Sequence, residues 1–479
     1  MRRSKYLIKN ISIVDGTGNS RYISDIALTE DRITNIGVDI ALDGAEVVDG
    51  TGLTLAPGFI DVHTHDDTNV IRYPECIPKI SQGVTTVIVG NCGISASPAT
   101  LSDLPPDPMN LLGKKEDFKY SRFEDYITAV NEAQPAINVA ALVGHTTLRN
   151  NVMDNLYRAA TDNEVAEMKK ALRDSLESGA LGLSSGLAYA SAFESSTEEV
   201  AELASELTQK NGIYTTHMRS EFEPILEAMK EAFHVGNSND IPVVISHLKC
   251  AGAGNWGRTE ETLALMDATK KYQDVSCDCY PYSASSSTLD LKQVTEDFEI
   301  FITWSEPHPE YAQKTLKNIA EQLNLSLENA ARYLQPAGAV YHNMHPEDVE
   351  RVICSEHSMI GSDGLPNDPH PHPRLWGTFP RMIGHYSREK QLLSLEQAIH
   401  KMTGKSALRF KLKDRGVIKK GAFADLVIFD AEKIEDAATF THPEQKAKGI
   451  HSVFVNGQLT YRDKNVEQKR YGRFIRREC

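Results

Sequence analysis

The sequence has no run of eighteen apolar residues, so nothing in it reads as a transmembrane helix and no membrane partner is expected. It has no basic excess either: 51 Lys+Arg stand against 66 Asp+Glu, a net charge of −15 with His neutral. A protein that tracks phosphates needs a basic face, so no nucleic-acid partner is expected. No G-x-G-x-x-G turn follows the first predicted strand of the central region, which weakens a dinucleotide-binding reading. The seven cysteines, at 76, 92, 250, 277, 279, 354 and 479, are odd in number and scattered. They read as reduced thiols of a cytoplasmic protein, with one free to act as a ligand. The basic start Met1-Arg2-Arg3-Ser4-Lys5 meets Tyr6-Leu7-Ile8-Lys9-Asn10, which breaks the apolar stretch, so a secretory leader is not expected.

What is present is a globular composition, 41% hydrophobic and 24% charged, in a chain of 479 residues that can bury a large core without disulfides. The first 56 residues read as short alternating strands joined by turns, over Lys5–Val14, Ile23–Thr29 and Arg32–Ile36. Leu426–Asp430 and Val453–Gly457 read alike near the other end. The two ends, 1–56 and 415–479, are expected to form one small β domain.

Between them, over 57–414, strand and helix alternate. Candidate strands are Phe59–His65, Thr85–Gly90, Ile137–His145, Ala180–Ser185, Tyr214–Arg219, Pro242–Leu248, Val275–Tyr280 and Met359–Asp363. Glu164–Leu176, Glu198–Leu207 and Glu260–Lys271 have helical apolar spacing. Eight strands with helical crossovers predict an α/β fold, a closed (β/α)8 TIM barrel. The interval from Tyr282 to Met359 is longer than one helix requires. Residues 283–345, opened by a Ser/Thr run and holding a helical stretch at Gln313–Leu334, are expected to be an inserted lid.

The chemistry concentrates where predicted strands end. Residues i and i+2 of a strand share a face, so His63 and His65 are expected to converge on the barrel mouth. Alone, such a pair also suits a surface or core role. Cys92, His217, His247 and Asp363 lie at four further strand ends, and in a barrel those ends form the catalytic face. Six metal-type residues at five strand ends have no simple structural explanation. A thiolate and two imidazoles with water in the fourth position make an open zinc site.

The stretch Pro57–His65, His217, His247, Gly361-Ser362-Asp363-Gly364 and Lys420–Leu426 resemble the amidohydrolase superfamily. Asn91-Cys92-Gly93, Thr216–Arg219, Ser246–Lys249 and His372-Pro373-Arg374 narrow the resemblance to the N-acyl-D-amino-acid deacylases, or D-aminoacylases, over about residues 5–460. The resemblance implies a distorted barrel with a small β-sandwich from both termini, zinc, and hydrolysis of small N-acyl-D-amino acids. Many superfamily members carry a metal-bridging lysine on the fourth strand; here that strand reads Gly182-Leu183-Ser184-Ser185-Gly186. Cys92 then supplies the anionic ligand, with one tight zinc at Cys92, His217 and His247. A weaker second site falls to His63 and His65 with Asp363 nearby.

Asp363 is the expected general base, although Asp before Gly more commonly caps a turn. The resemblance assigns the substrate carboxylate to Arg374, Lys249 and Tyr280, with Tyr189 and Ser286 as weaker carry-overs. His145 is expected to be structural, Cys277 and Cys279 to be packing residues, and His370–Pro373 a loop that positions Arg374. Lys292 could favour acidic side chains, while Met344, Leu289 and Phe379 could line an apolar pocket; the sequence leaves this choice open. The alternatives are an amidohydrolase of cyclic amides, of dihydropyrimidinase or hydantoinase type, and a non-catalytic scaffold homologue. The absent fourth-strand lysine and Arg374 weigh against the first, and the full ligand set against the second.

Overall fold

The computed structural model describes residues 5–477, so Met1–Ser4 of the basic start and Cys479 lie outside it. Eight strands recur through the central region: Phe59–Asp61 (β1), Val84–Val89 (β2), Asn138–Ala141 (β3), Gly182–Gly186 (β4), Ile213–His217 (β5), Val243–Ile245 (β6), Val275–Cys279 (β7) and Ser358–Ile360 (β8). All their pairings are parallel. β1, β2 and β3 form one sheet. Val143–Gly144, just beyond β3, opens a second that runs through β4, β5, β6 and β7 to β8. The chain after β8 returns to the chain after β1, where Thr64 bridges Gly364 and the Asp363 N–H donates to the His63 carbonyl at 2.8 Å. β2 is buried at every position, as a parallel strand covered on both faces must be.

The expected helices are Asp162–Glu177, Thr197–Thr208 and Thr259–Lys270. Caps set the starts of the first two. The Thr161 hydroxyl accepts the Glu164 N–H while Glu164 accepts the Thr161 N–H, and Ser196 accepts from Glu199. Val165, Met168, Leu172 and Leu176 form the buried face of the first. No helix among the described residues is long and apolar enough to cross a membrane.

Both chain ends share one nine-stranded sheet. Lys5–Ile13 pairs with Tyr22–Thr29 on one side and with Glu46–Asp49 and Thr54–Pro57 on the other. Leu426–Phe429 joins Thr54–Pro57 to Ile450–Val455. Ile8, Ile26, Leu55, Leu426, Ile428 and Phe454 fill the core beneath it.

The long interval is a folded unit. Ser285–Thr288, Ala337–Tyr341, Ile300–Ser305 and Lys314–Thr315 make a four-stranded sheet with a core around Ile302, Ile319, Leu334 and Tyr341. The single helical stretch expected at 313–334 is two helices, Leu316–Leu323 and Leu327–Leu334. Asn324 closes the first in a left-handed conformation (φ 54°), and the Ser326 hydroxyl caps the second.

Candidate metal centre

β1 stops at Asp61, so His63 and His65 are not alternate residues of one strand. Their convergence comes instead from the Thr64–Gly364 bridge, which holds the segment against the chain after β8. Cys92, His247 and Asp363 all have left-handed backbones, with φ of 53°, 36° and 50°. Such a conformation costs a residue with a Cβ on the order of 1–3 kcal/mol, and strain of this kind gathers at functional sites.

Six side chains converge. His63 Nε2 lies 3.2 Å and His247 Nε2 3.4 Å from Cys92 Sγ. Asp363 Oδ1 is 3.1 Å from His65 Nε2 and 3.4 Å from His63 Nε2. The donor atoms of Cys92, His217 and His247 lie within 4.8 Å of one another, and so do those of His63, His65, Cys92 and Asp363. Burial would raise the Cys92 thiol, but His63 and His247 pull it well below its ordinary value. Burial likewise works against an ionised Asp363, yet Arg374, His63 and His247 hold it well below the usual carboxylate range. A sulfur held as thiolate beside two imidazoles is a donor set that fits zinc.

No sequence pattern marks Glu221, which is buried with its Oε1 2.8 Å from His247 Nδ1 and also accepts from the Lys249 ammonium. The sequence does carry a signal for Asp278. The alternation that puts Cys277 and Cys279 on one face of β7 puts Asp278 on the other. Asp278 Oδ1 accepts the His247 N–H at 2.9 Å and lies 3.2 Å from His63 Nδ1, while the two thiols pack in the core. His145 Nε2 pairs with Glu199 Oε1 at 2.8 Å, apart from the donor cluster. His372 Nδ1 accepts the Arg374 N–H at 2.9 Å, and His370 Nε2 donates to the Phe440 carbonyl at 2.7 Å.

A cavity of about 1000 Å³ opens over the donors, its wall including Tyr189, His217, Lys249, Ser286 and Asp363. Arg374 reaches two residues of that wall, Asp363 and Ser286. The Arg374 guanidinium lies 4.5 Å from the Tyr280 ring, with Nη1 2.9 Å from Asp363 Oδ2 and Nη2 donating to the Ser286 carbonyl at 3.1 Å. Arg374 Nε, Tyr280 Oη and Ser286 Oγ are buried with no hydrogen-bond partner among the described residues. Lys292 lies exposed at the rim, its Nζ 5.0 Å from the Phe193 ring centre. Leu289 joins the wall. Met344 and Phe379 do not: both belong to the core, where Phe379 stacks on Phe59 at 5.7 Å.

A model of the amidohydrolase family matches residues 46–461. The chain is 45% identical to a D-aminoacylase of Alcaligenes xylosoxydans xylosoxydans, covering 98% of this chain and 97% of the relative. It is 43% identical to an N-acyl-D-aspartate deacylase of the same organism, covering 99% and 95%. Among solved structures, an N-acyl-D-glutamate deacylase from Bordetella bronchiseptica, complexed with zinc and a phosphonate mimic of the reaction's tetrahedral intermediate, superposes with a TM-score of 0.95. It is 39% identical and covers 99% of this chain and 100% of that one. The chain therefore belongs to the amidohydrolase family, among the D-aminoacylases and N-acyl-D-amino-acid deacylases.

Proposed function

We propose that this protein is a zinc-dependent hydrolase that cleaves the amide bond of N-acyl-D-amino acids, giving a carboxylate such as acetate and a free D-amino acid. The observation that carries the reading is the convergence of Cys92, His217 and His247, donor atoms within 4.8 Å of one another, at a cavity that Asp363 also lines. The D-specific names of the relatives and the zinc of the glutamate deacylase support the substrate hand and the metal.

Cys92, His217 and His247 would hold the tight ion, and His63 and His65 with Asp363 a weaker second one. Bound zinc supplies Lewis acidity, which acidifies water and polarises an amide carbonyl. Asp363 takes the proton of the attacking water on a carboxylate oxygen and delivers it to the leaving amine as the C–N bond breaks. Arg374, whose Nε is unpartnered, grips the substrate's α-carboxylate together with the Lys249 ammonium and the Tyr280 hydroxyl. Tyr189 and Ser286 offer further hydroxyls to the bound amide. With carboxylate and carbonyl both fixed, one hand at Cα turns its side chain into the open cavity and the other into the wall.

The architecture proposed around this site is a distorted (β/α)8 barrel over 57–414, a terminal β-sandwich domain over 1–56 and 415–479, and a lid over 283–345. A cytoplasmic location suits the six described cysteines, all unpaired. The test is release of free amino acid from matched N-acetyl-D and N-acetyl-L substrates, with hydantoins alongside. Release from the D series alone is expected; hydrolysis confined to the cyclic amides would overturn the reading.

A further inference from the structure

We infer that Glu221 is a positioning residue that ties the tight metal site to the lysine that grips substrate: it fixes the ring proton of His247 on Nδ1 and, with the same carboxylate, anchors the Lys249 ammonium. The inference rests on the zinc reading above and adds a residue to it.

The two nitrogens of the His247 ring face different partners. His247 Nε2 faces Cys92 Sγ at 3.4 Å, inside the donor cluster. Its Nδ1 faces outward, 2.8 Å from Glu221 Oε1 and 2.7 Å from Lys249 Nζ. A neutral imidazole that offers its Nε2 lone pair to a metal carries its proton on Nδ1, and that proton needs an acceptor. An ammonium has donors only. Of the two groups beside Nδ1, Glu221 alone can accept.

The same state changes what Lys249 can do. Once Nδ1 carries a proton, it and the ammonium are both donors, and that contact loses its attraction. Lys249 is left with Glu221 and, at 3.1 Å, the His247 carbonyl. Metal at His247 therefore turns the ammonium away from the ring. Lys249 lines the cavity beside Glu221, so the direction open to it is toward substrate. The Ala251 N–H donates to the Glu221 carbonyl at 2.8 Å, which joins the loop after β5 to the loop after β6 and sets the carboxylate between them.

Three variants separate the roles, read by zinc competition against a chromophoric chelator and by steady-state kinetics on an N-acetyl-D-amino acid. Glu221→Met removes the acceptor and is expected to weaken zinc binding about 10- to 100-fold. Glu221→Gln keeps an oxygen for Nδ1 but no charge for the ammonium, so zinc affinity should fall less than in the Met variant while KM rises more than kcat falls. Lys249→Met should raise KM and leave zinc affinity unchanged. Wild-type zinc binding with an equal affinity in Glu221→Met would overturn the inference alone. A wild-type protein that binds no zinc would overturn both it and the reading beneath it. The isosteric Gln variant, compared with wild type in Tm, separates a positioning effect from misfolding.

Discussion

Cys92 stands between two donor groups that are held in different ways. Toward His217 and His247 its partners are rings alone, and the charged groups, Glu221 and Lys249, contact the far nitrogen of His247. Toward His63 and His65 the group includes Asp363, whose carboxylate also lies 2.9 Å from the Arg374 guanidinium. In the first group no carboxylate lies among the donor atoms. In the second, charge is divided among a guanidinium, two rings and the shared sulfur. On the proposed function, that difference would separate metal binding from proton transfer within a few ångströms.

The largest effect should come from removing what the groups share. Cys92→Ala is expected to lose tightly bound zinc and, with it, hydrolysis of N-acyl-D-amino acids, measured by metal analysis and amino-acid release. Full zinc content in that variant would erase the contrast. Asp363→Asn sharpens it. Turnover should fall on the order of 10²- to 10⁴-fold, while zinc at Cys92, His217 and His247 is retained; near-normal turnover would remove Asp363 from its role.

A third histidine tests the contrast from outside. His145 follows β3 much as His247 follows β6, yet it and Arg149 engage Glu199. Burial opposes an ionised Glu199, but His145 and Arg149 hold its carboxyl at about 2 against an ordinary value near 4.5. A depressed carboxylate stabilises the fold above its unfolded value, and the contribution is lost as pH falls through the folded value. The Tm gap between wild type and Glu199→Gln should therefore be full at neutral pH and narrow as pH drops from about 4.5 toward 2, with zinc content unchanged. A gap that does not vary with pH would remove the ionised Glu199 from the packing of His145.

The donor residues were legible because each follows a short apolar run, and alternation of strand and helix assigns such positions to one face. The manner of their convergence was not. His63 and His65 are aligned by a bridge to Gly364, about three hundred residues along the chain, and no local pattern encodes that pairing. Glu221 lies in a loop with no periodicity of its own, and its value comes only from the ring it meets. Asp278 was readable in principle, since Cys277 and Cys279 defined its face. The insertion was marked by its length, but its sheet was not legible, for the same reason as the bridge: Ser285 pairs with Tyr341, so the sheet depends on contacts distant in sequence.

The smallest expected effect is at the rim. Lys292 is exposed and its ammonium lies over Phe193, so Lys292→Ala should alter activity toward N-acetyl-D-glutamate and N-acetyl-D-aspartate alone, leaving neutral substrates untouched. An equal change for both classes would assign Lys292 to solvation rather than selection.

The most direct measurement is zinc-edge X-ray absorption of the protein loaded with one equivalent of metal. The expected spectrum has a sulfur shell at about 2.3 Å with imidazole nitrogens at about 2.0–2.1 Å. A first shell of nitrogen and oxygen alone would contradict the assignment of Cys92 and the site built around it.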